Sequence, residues 1–190
     1  MIKDIPIVIF AGGKSSRMGK DKSLLSFGGY NSLTQYQYER LKNIFQTVYI
    51  SAKYNKFDFE ATIIEDIQTT SSPLVGIVSV LEFTKTPTFI LSVDAPFIDK
   101  NIFQKIVDTH KENNSIATIA KTPQRLQPLC GIYHPNIIKT AKQHIIENKH
   151  SLNKMLKELD TSIVNFDDEN KFLNINHPKD YQKALDYVTI

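Results

Sequence analysis

Phe10-Ala11-Gly12-Gly13-Lys14-Ser15-Ser16-Arg17-Met18-Gly19-Lys20-Asp21-Lys22 continues the apolar run Ile7-Val8-Ile9-Phe10 close to the N-terminus. A short β-branched run before glycines reads as a strand. A strand, a glycine-rich basic loop and then a helix is an arrangement that binds phosphates. Glycine lets the backbone approach a ligand, and successive amides point at anions. Here the amides of Ala11, Gly12 and Gly13 are the expected cradle. Lys14, Arg17, Lys20 and Lys22 are opposed only by Asp21, so the loop is positive where a triphosphate would lie. A solvated surface turn is the plainer alternative. A Walker A loop is excluded, because it would need glycine where Val8 stands, and no Gly-x-Gly-x-x-Gly occurs.

Composition narrows the classes. The 190 residues suit one domain, taken as residues 1–190, with 41% hydrophobic and 10% aromatic residues. A net charge of +3, with basic residues scattered outside the N-terminal loop, gives no stripe for nucleic acid. No apolar run reaches the roughly 20 residues that cross a bilayer. Asp4, Pro6 and Lys14 interrupt any secretory core, and the single Cys130 suits a reducing compartment, so a cytoplasmic location is expected. The histidines show no zinc-ligand spacing.

Apolar runs alternate with helical patterns along the whole chain. Strands are expected at residues 7–10, 47–51, 61–64, 88–93, 115–120, 129–133 and 162–166. Helices are expected at 32–45, 74–83, 100–110, 136–146, 151–159 and 178–187. This alternation predicts an α/β protein with a mainly parallel, doubly wound sheet. Ligands of such sheets lie beyond the carboxyl ends of the strands. That rule puts Gly12, Gly13, Ser51, Asp66 and Asp94 on one rim.

Asp94 ends the most apolar strand and precedes Ala95-Pro96. A carboxylate there is costly to bury without a cation. It reads either as a ligand of Mg²⁺, which takes few protein carboxylates and several phosphate oxygens, or as a helix cap, although Asp99 is the better placed cap. Asp66 follows the 61–64 strand and precedes a polar loop that reaches Ser72-Pro73-Leu74-Val75-Gly76. Lys22 lies just past a polar loop, so its truncation is expected to cost little stability. Cys130 has no evident base and reads as a buried thiol.

The loop, with Ala-Gly-Gly-x-Ser-Ser-Arg-Met-Gly-x-Asp-Lys, resembles that of the molybdenum cofactor guanylyltransferases, the MobA family. The later motifs extend the resemblance over most of the chain. It implies a three-layer Rossmann-like nucleotidyltransferase fold, with a mostly parallel central sheet and helices on both faces. It implies transfer of GMP from GTP to the terminal phosphate of molybdopterin-bound molybdenum, with Mg²⁺ as cofactor and pyrophosphate released. Arg17 and Lys22 would be catalytic. Phe10, Ala11, Gly12, Gly13, Lys22, Ser51, Asp66 and Asp94 would bind nucleotide, and Asp94 would also hold the metal. Arg125-Leu126-Gln127-Pro128-Leu129-Cys130-Gly131 resembles the segment on the acceptor side. Asn174-Ile175-Asn176-His177-Pro178 matches the family's Asn-x-Asn-x-Pro. The resemblance thus offers Arg125, Gln127, Asn174 and Asn176 as acceptor contacts, although a turn and a helix cap account for them as well. Expected partners are GTP, molybdopterin, and cofactor-delivery or molybdoenzyme-maturation proteins. Two departures bear on the base: the family usually has Gly at Ser72 and often Asn at Ser51. A related enzyme using CTP or a sugar phosphate, and a nucleotide-binding module without chemistry, stay open as alternatives.

Overall fold

Strands that are apolar on both faces can be satisfied only between two layers of helices. A computed structural model, describing residues 1–13, 18–66 and 72–188, has that arrangement. The elements are β1 (Ile7–Phe10), α1 (Leu33–Lys42), β2 (Val48–Ala52), β3 (Ile63–Glu65), α2 (Pro73–Thr84), β4 (Thr88–Ser92) and α3 (Lys100–Asn113). They continue with β5 (Ala117–Lys121), β6 (Leu126–Tyr133), α4 (Ile138–Ile146), α5 (Leu152–Lys157), β7 (Thr161–Asn165) and α6 (Pro178–Val188). One seven-stranded sheet runs in the order β3-β2-β1-β4-β6-β5-β7. Only β6 is antiparallel to its neighbours. Alternate residues of β1 feed opposite cores. Ile7 and Ile9 join Phe45, Phe89 and Phe103 on one face. Val8 and Phe10 join Leu74, Ile77 and Met155 on the other.

Local chemistry sets the element ends. Ser32 Oγ accepts from Gln35 N at 3.1 Å and caps α1. Ser72 does the same for α2 through Val75 N at 3.3 Å, with Pro73 in the first turn. Asp99 caps α3 by accepting from the amides of Asn101 and Ile102. The expected entry from the basic loop into a helix is replaced by a single 3₁₀ turn, Lys22–Leu24. Gly28 and Gly29 then take positive φ, and Phe27 and Tyr30 exchange backbone hydrogen bonds across them. That tight turn delays the helix until Ser32.

The register fixes the rim. Phe10 lies opposite both Ser51 and Ser92, so three strand ends are level. Cys130 pairs with Leu91, which puts the first residues of the antiparallel β6 beyond the end of β4. One reversed strand therefore carries the segment from Arg125 to Leu129 to the rim. β6 begins at Leu126, earlier than the expected 129, because Gln127 and Leu126 pair with Ala120 and Lys121 after a register shift in β5. At that ladder Gly131 is required: a Cβ would meet Thr118 O at 2.5 Å.

Candidate active site

The rim holds adjoining hollows. The first, about 220 Å³, is lined by Phe10, Gly12, Gly13, Ser51, Asp66 and Gly76 among others. The second, about 300 Å³, is lined by Asp94, Arg125, Gln127 and Asn174, and shares Ser92 and Leu129 with the first. A third, about 330 Å³, continues along Arg125, Gln127, Asn174 and Asn176. Of the sequence-predicted residues, Phe10, Gly12, Gly13, Ser51 and Asp66 line the first hollow, whereas Asp94 lines the second beside Arg125, Gln127 and Asn174. Arg17 lies outside the described residues.

In the first hollow, Gly13 has φ of +137° and Gly12 opens on free space, so the backbone there is bare. Ala11 differs from the expectation. Its amide donates to Ser51 O at 2.9 Å, continuing the β1–β2 ladder, so of the three amides expected in the cradle this one is already taken. Phe10 and Asp66 approach one another over Gly76, where a Cβ would lie 3.0 Å from the Phe10 ring and 3.6 Å from Asp66 Oδ1. Burial pushes the Asp66 carboxyl above its usual range, against the pull of Lys53. Such a carboxylate gains most from a ligand that donates hydrogen bonds to it.

At the centre of the rim, Asp94 is 6% exposed and forms an ion pair with Lys22. The Lys22 ammonium also donates to Asn176 Oδ1 at 3.3 Å. The cap reading of Asp94 gives way, because Asp99 caps α3. The cap reading of Asn176 gives way too: Asp180 Oδ2 accepts from the amides of Asn176 and His177 at the start of α6. The expectation that truncating Lys22 costs little stability took no account of this contact, in which its ammonium pairs with a buried carboxylate. Ile175 N donates to Asp94 O at 2.8 Å, tying the Asn-x-Asn segment to the same point.

Two supports lay beyond sequence reasoning. Gln37 is fully buried and donates from Nε2 to Val93 O at 3.2 Å. Arg40 donates to Gln37 Oε1 and, at 2.6 Å, to Ile98 O, so α1 grips both ends of the segment carrying Asp94. Burial lowers the Arg40 guanidinium to about 10, although Tyr36 and Asp99 act to raise it. The second support is Lys56, whose ammonium donates to Ala11 O at 3.2 Å and to Asp21 Oδ2 at 2.5 Å. Burial acts to raise the Asp21 carboxyl, but hydrogen bonds from Lys56 and Ser23 hold it below the usual range. No local spacing around Tyr54-Asn55-Lys56-Phe57 signals that role.

The metal expectation has one structural test. Asp94 Oδ1 is buried and has no hydrogen-bond partner among the described residues. An orphaned carboxylate oxygen on a rim where phosphate is expected suits a hard divalent cation. Among the described residues no cluster of three or more His, Cys, Asp or Glu could hold a metal by itself, so phosphate oxygens would complete the shell. Cys130 is buried in β6, and burial pushes its thiol well up, which leaves it no nucleophilic role.

A sheet of this order, with a bare glycine turn, a lysine-paired aspartate and a half-buried carboxylate on one rim, is the architecture of an α/β nucleotidyltransferase. A model of the MobA-like NTP transferase domain matches residues 7–163. The molybdenum cofactor guanylyltransferase of Campylobacter jejuni is 39% identical over 185 residues, covering 96% of each chain. That of Helicobacter pylori is 32% identical over 192 residues, covering 97% of this chain and 94% of the relative. Among solved structures, molybdopterin-guanine dinucleotide biosynthesis protein A from Archaeoglobus fulgidus superposes with a TM-score of 0.86 at 19% identity, over 97% of this chain and 99% of that one. The 2-C-methyl-D-erythritol 4-phosphate cytidylyltransferase of Thermus thermophilus superposes at 0.70 and 12% identity, over 98% and 100%. The chain belongs to the MobA-like NTP transferase family.

Proposed function

We propose that this protein transfers GMP from GTP to the terminal phosphate of molybdopterin-bound molybdenum. The products are the guanine dinucleotide form of the cofactor and pyrophosphate. The observation that carries this reading is the 39% identity, over nearly the full length, to a protein named for that activity. The rim agrees with it chemically. A fold shared with a cytidylyltransferase leaves the base to be argued from residues. Asp66, half-buried with its carboxyl pushed up, suits the adjacent N1–H and N2 amine donors of guanine, which cytosine does not offer in that pattern. Ser51 Oγ adds a single hydrogen bond where an asparagine would make two.

In the reaction, an oxygen of the acceptor's terminal phosphate attacks the α-phosphorus of GTP. The bond from that phosphorus to the β-bridging oxygen breaks, and its electrons leave with pyrophosphate. An ionised phosphate nucleophile needs no general base, so positioning and charge stabilisation are the protein's main contributions. Gly12 and Gly13 amides would face phosphate oxygens, and Arg17 and Lys22 would offset the charge that develops in the transition state. A divalent cation, expected as Mg²⁺ and held by Asp94 Oδ1, would supply further charge neutralisation. The hollow along Arg125, Gln127, Asn174 and Asn176 is the proposed acceptor side. No helix among the described residues is long and apolar enough to cross a membrane. We place the reaction in the cytoplasm, with delivery and maturation proteins passing the pterin on. Thermal unfolding with Mg²⁺ and each of GTP, CTP, ATP and UTP tests the nucleotide claim. GTP should give the largest shift, since binding stabilises by mass action. Equal shifts with GTP and CTP would remove it.

A further inference from the structure

We propose that the Lys56 ammonium is a clamp that joins the two ends of the glycine-rich segment and positions Lys22 for the transfer. This rests on the reading that Lys22 acts in nucleotidyl transfer. Lys56 lies between β2 and β3, outside every motif that the family resemblance singles out. Its side chain is only 14% exposed. One ammonium bonds Ala11 O, just before Gly12 and Gly13, and Asp21 Oδ2, just before Lys22. Asp21 spends its other oxygen on the turn that follows. Oδ1 accepts from Ser23 N at 3.0 Å and from Ser23 Oγ at 2.7 Å, which caps Lys22–Leu24. Ser23 is buried, and its carbonyl accepts from Thr34 Oγ1 at 2.8 Å, anchoring the turn to α1.

The direction in which Lys22 leaves the backbone is therefore set by Asp21, and Lys56 sets Asp21. An isolated surface pair would contribute little. Here the ammonium is largely withdrawn from water, although Asp21 is 35% exposed, and the contact closes a loop, so its effect is to hold one geometry before the ligand arrives, which lowers the ordering cost of binding and reaction. Lys56 is a positioning residue here: it reaches the reacting atoms through Asp21 and Lys22.

The test compares wild type with Lys56→Met, Lys56→Arg, Asp21→Asn and the Lys56→Met/Asp21→Asn double variant. The first readout is amide exchange of residues 18–25 in nucleotide-free protein, against exchange elsewhere in the chain. The second is the Kd of Mg²⁺·GTP, with kcat and KM of pyrophosphate release. Lys56→Met should speed exchange at 18–25 selectively. It should lower kcat/KM on the order of tenfold, less than the roughly 10²-fold that a full ångström of misplacement can cost. Lys56→Arg keeps a cation for Asp21 and should restore most of both. The double variant should be no worse than the poorer single variant, because both break one link. Unchanged exchange at 18–25 in Lys56→Met would overturn the clamp, as would faster exchange with unaltered kcat/KM or additive losses in the double variant. If wild type binds no nucleotide, the functional reading fails with it, while the exchange data still judge the clamp.

Discussion

Replacing Lys22 by Met keeps the aliphatic stem and removes only the ammonium. Asp94 would then be a carboxylate at 8% side-chain exposure with its cation gone, and its Oδ1 already lacks a partner among the described residues. Removing one member of a buried pair costs about 3–5 kcal/mol, because the other charge is left uncompensated. Asp94 borders a hollow of about 300 Å³ that water can enter, which places this case below that range. About 2–3 kcal/mol is the figure we expect. For 190 residues, at about 2–4 °C per kcal/mol, the melting temperature should fall by roughly 5–10 °C. Asp94→Asn removes the stranded charge, so the Lys22→Met/Asp94→Asn double variant should regain at least half of the loss. Thermal and urea unfolding of the four proteins at pH 7 give the coupling, provided the urea slope stays constant. A Lys22→Met protein melting within about one degree of wild type, or additive losses in the double variant, would refute the argument that Lys22 neutralises Asp94.

Gly76→Ala sets helix propensity, worth about 0.8–1.0 kcal/mol in alanine's favour, against a Cβ 3.0 Å from the Phe10 ring. Phe10 lines the first hollow and can yield into it, so stability should stay within about 1 kcal/mol while GTP binding weakens, as calorimetry would show. Gly131→Ala puts a methyl 2.5 Å from the Thr118 carbonyl oxygen; the Ile119 side chain at 2.7 Å can turn aside but the paired backbone cannot, so the change should cost about 1–3 kcal/mol in urea unfolding. His110 is held below its usual pKa by burial and by the nearby His134. The unfolded chain therefore binds the extra proton first, and stability should fall as pH drops through about 6.5 towards the lower folded value. The melting temperature of His110→Gln, measured from pH 5 to pH 8, should lose that part of the acid slope.

The strands were legible because a sheet buried on both faces leaves short continuous apolar runs, as in Phe89-Ile90-Leu91 and Ile7–Phe10. Helix starts were legible where one side chain decides them, at Ser32 and Asp99. The start of β6 was not. Pro128 and Gly131 interrupt its pattern, and its pairing depends on a bulge in β5. The rim aspartates could be placed by the rule for strand ends, but their partners are distant in sequence. Lys22 finds Asp94 and Asn176, and Lys56 finds Ala11 and Asp21, through the fold alone. Gln37 falls inside the helix expected at 32–45, but nothing in that pattern shows that its amide serves Val93.

The most direct measurement incubates the protein with molybdenum cofactor, Mg²⁺ and each nucleoside triphosphate in turn, and follows pyrophosphate together with the pterin product. The account predicts pyrophosphate and a guanine dinucleotide cofactor in equal amounts with GTP, and neither when the pterin is omitted. Equal turnover with CTP, or pyrophosphate without a pterin product, would contradict it.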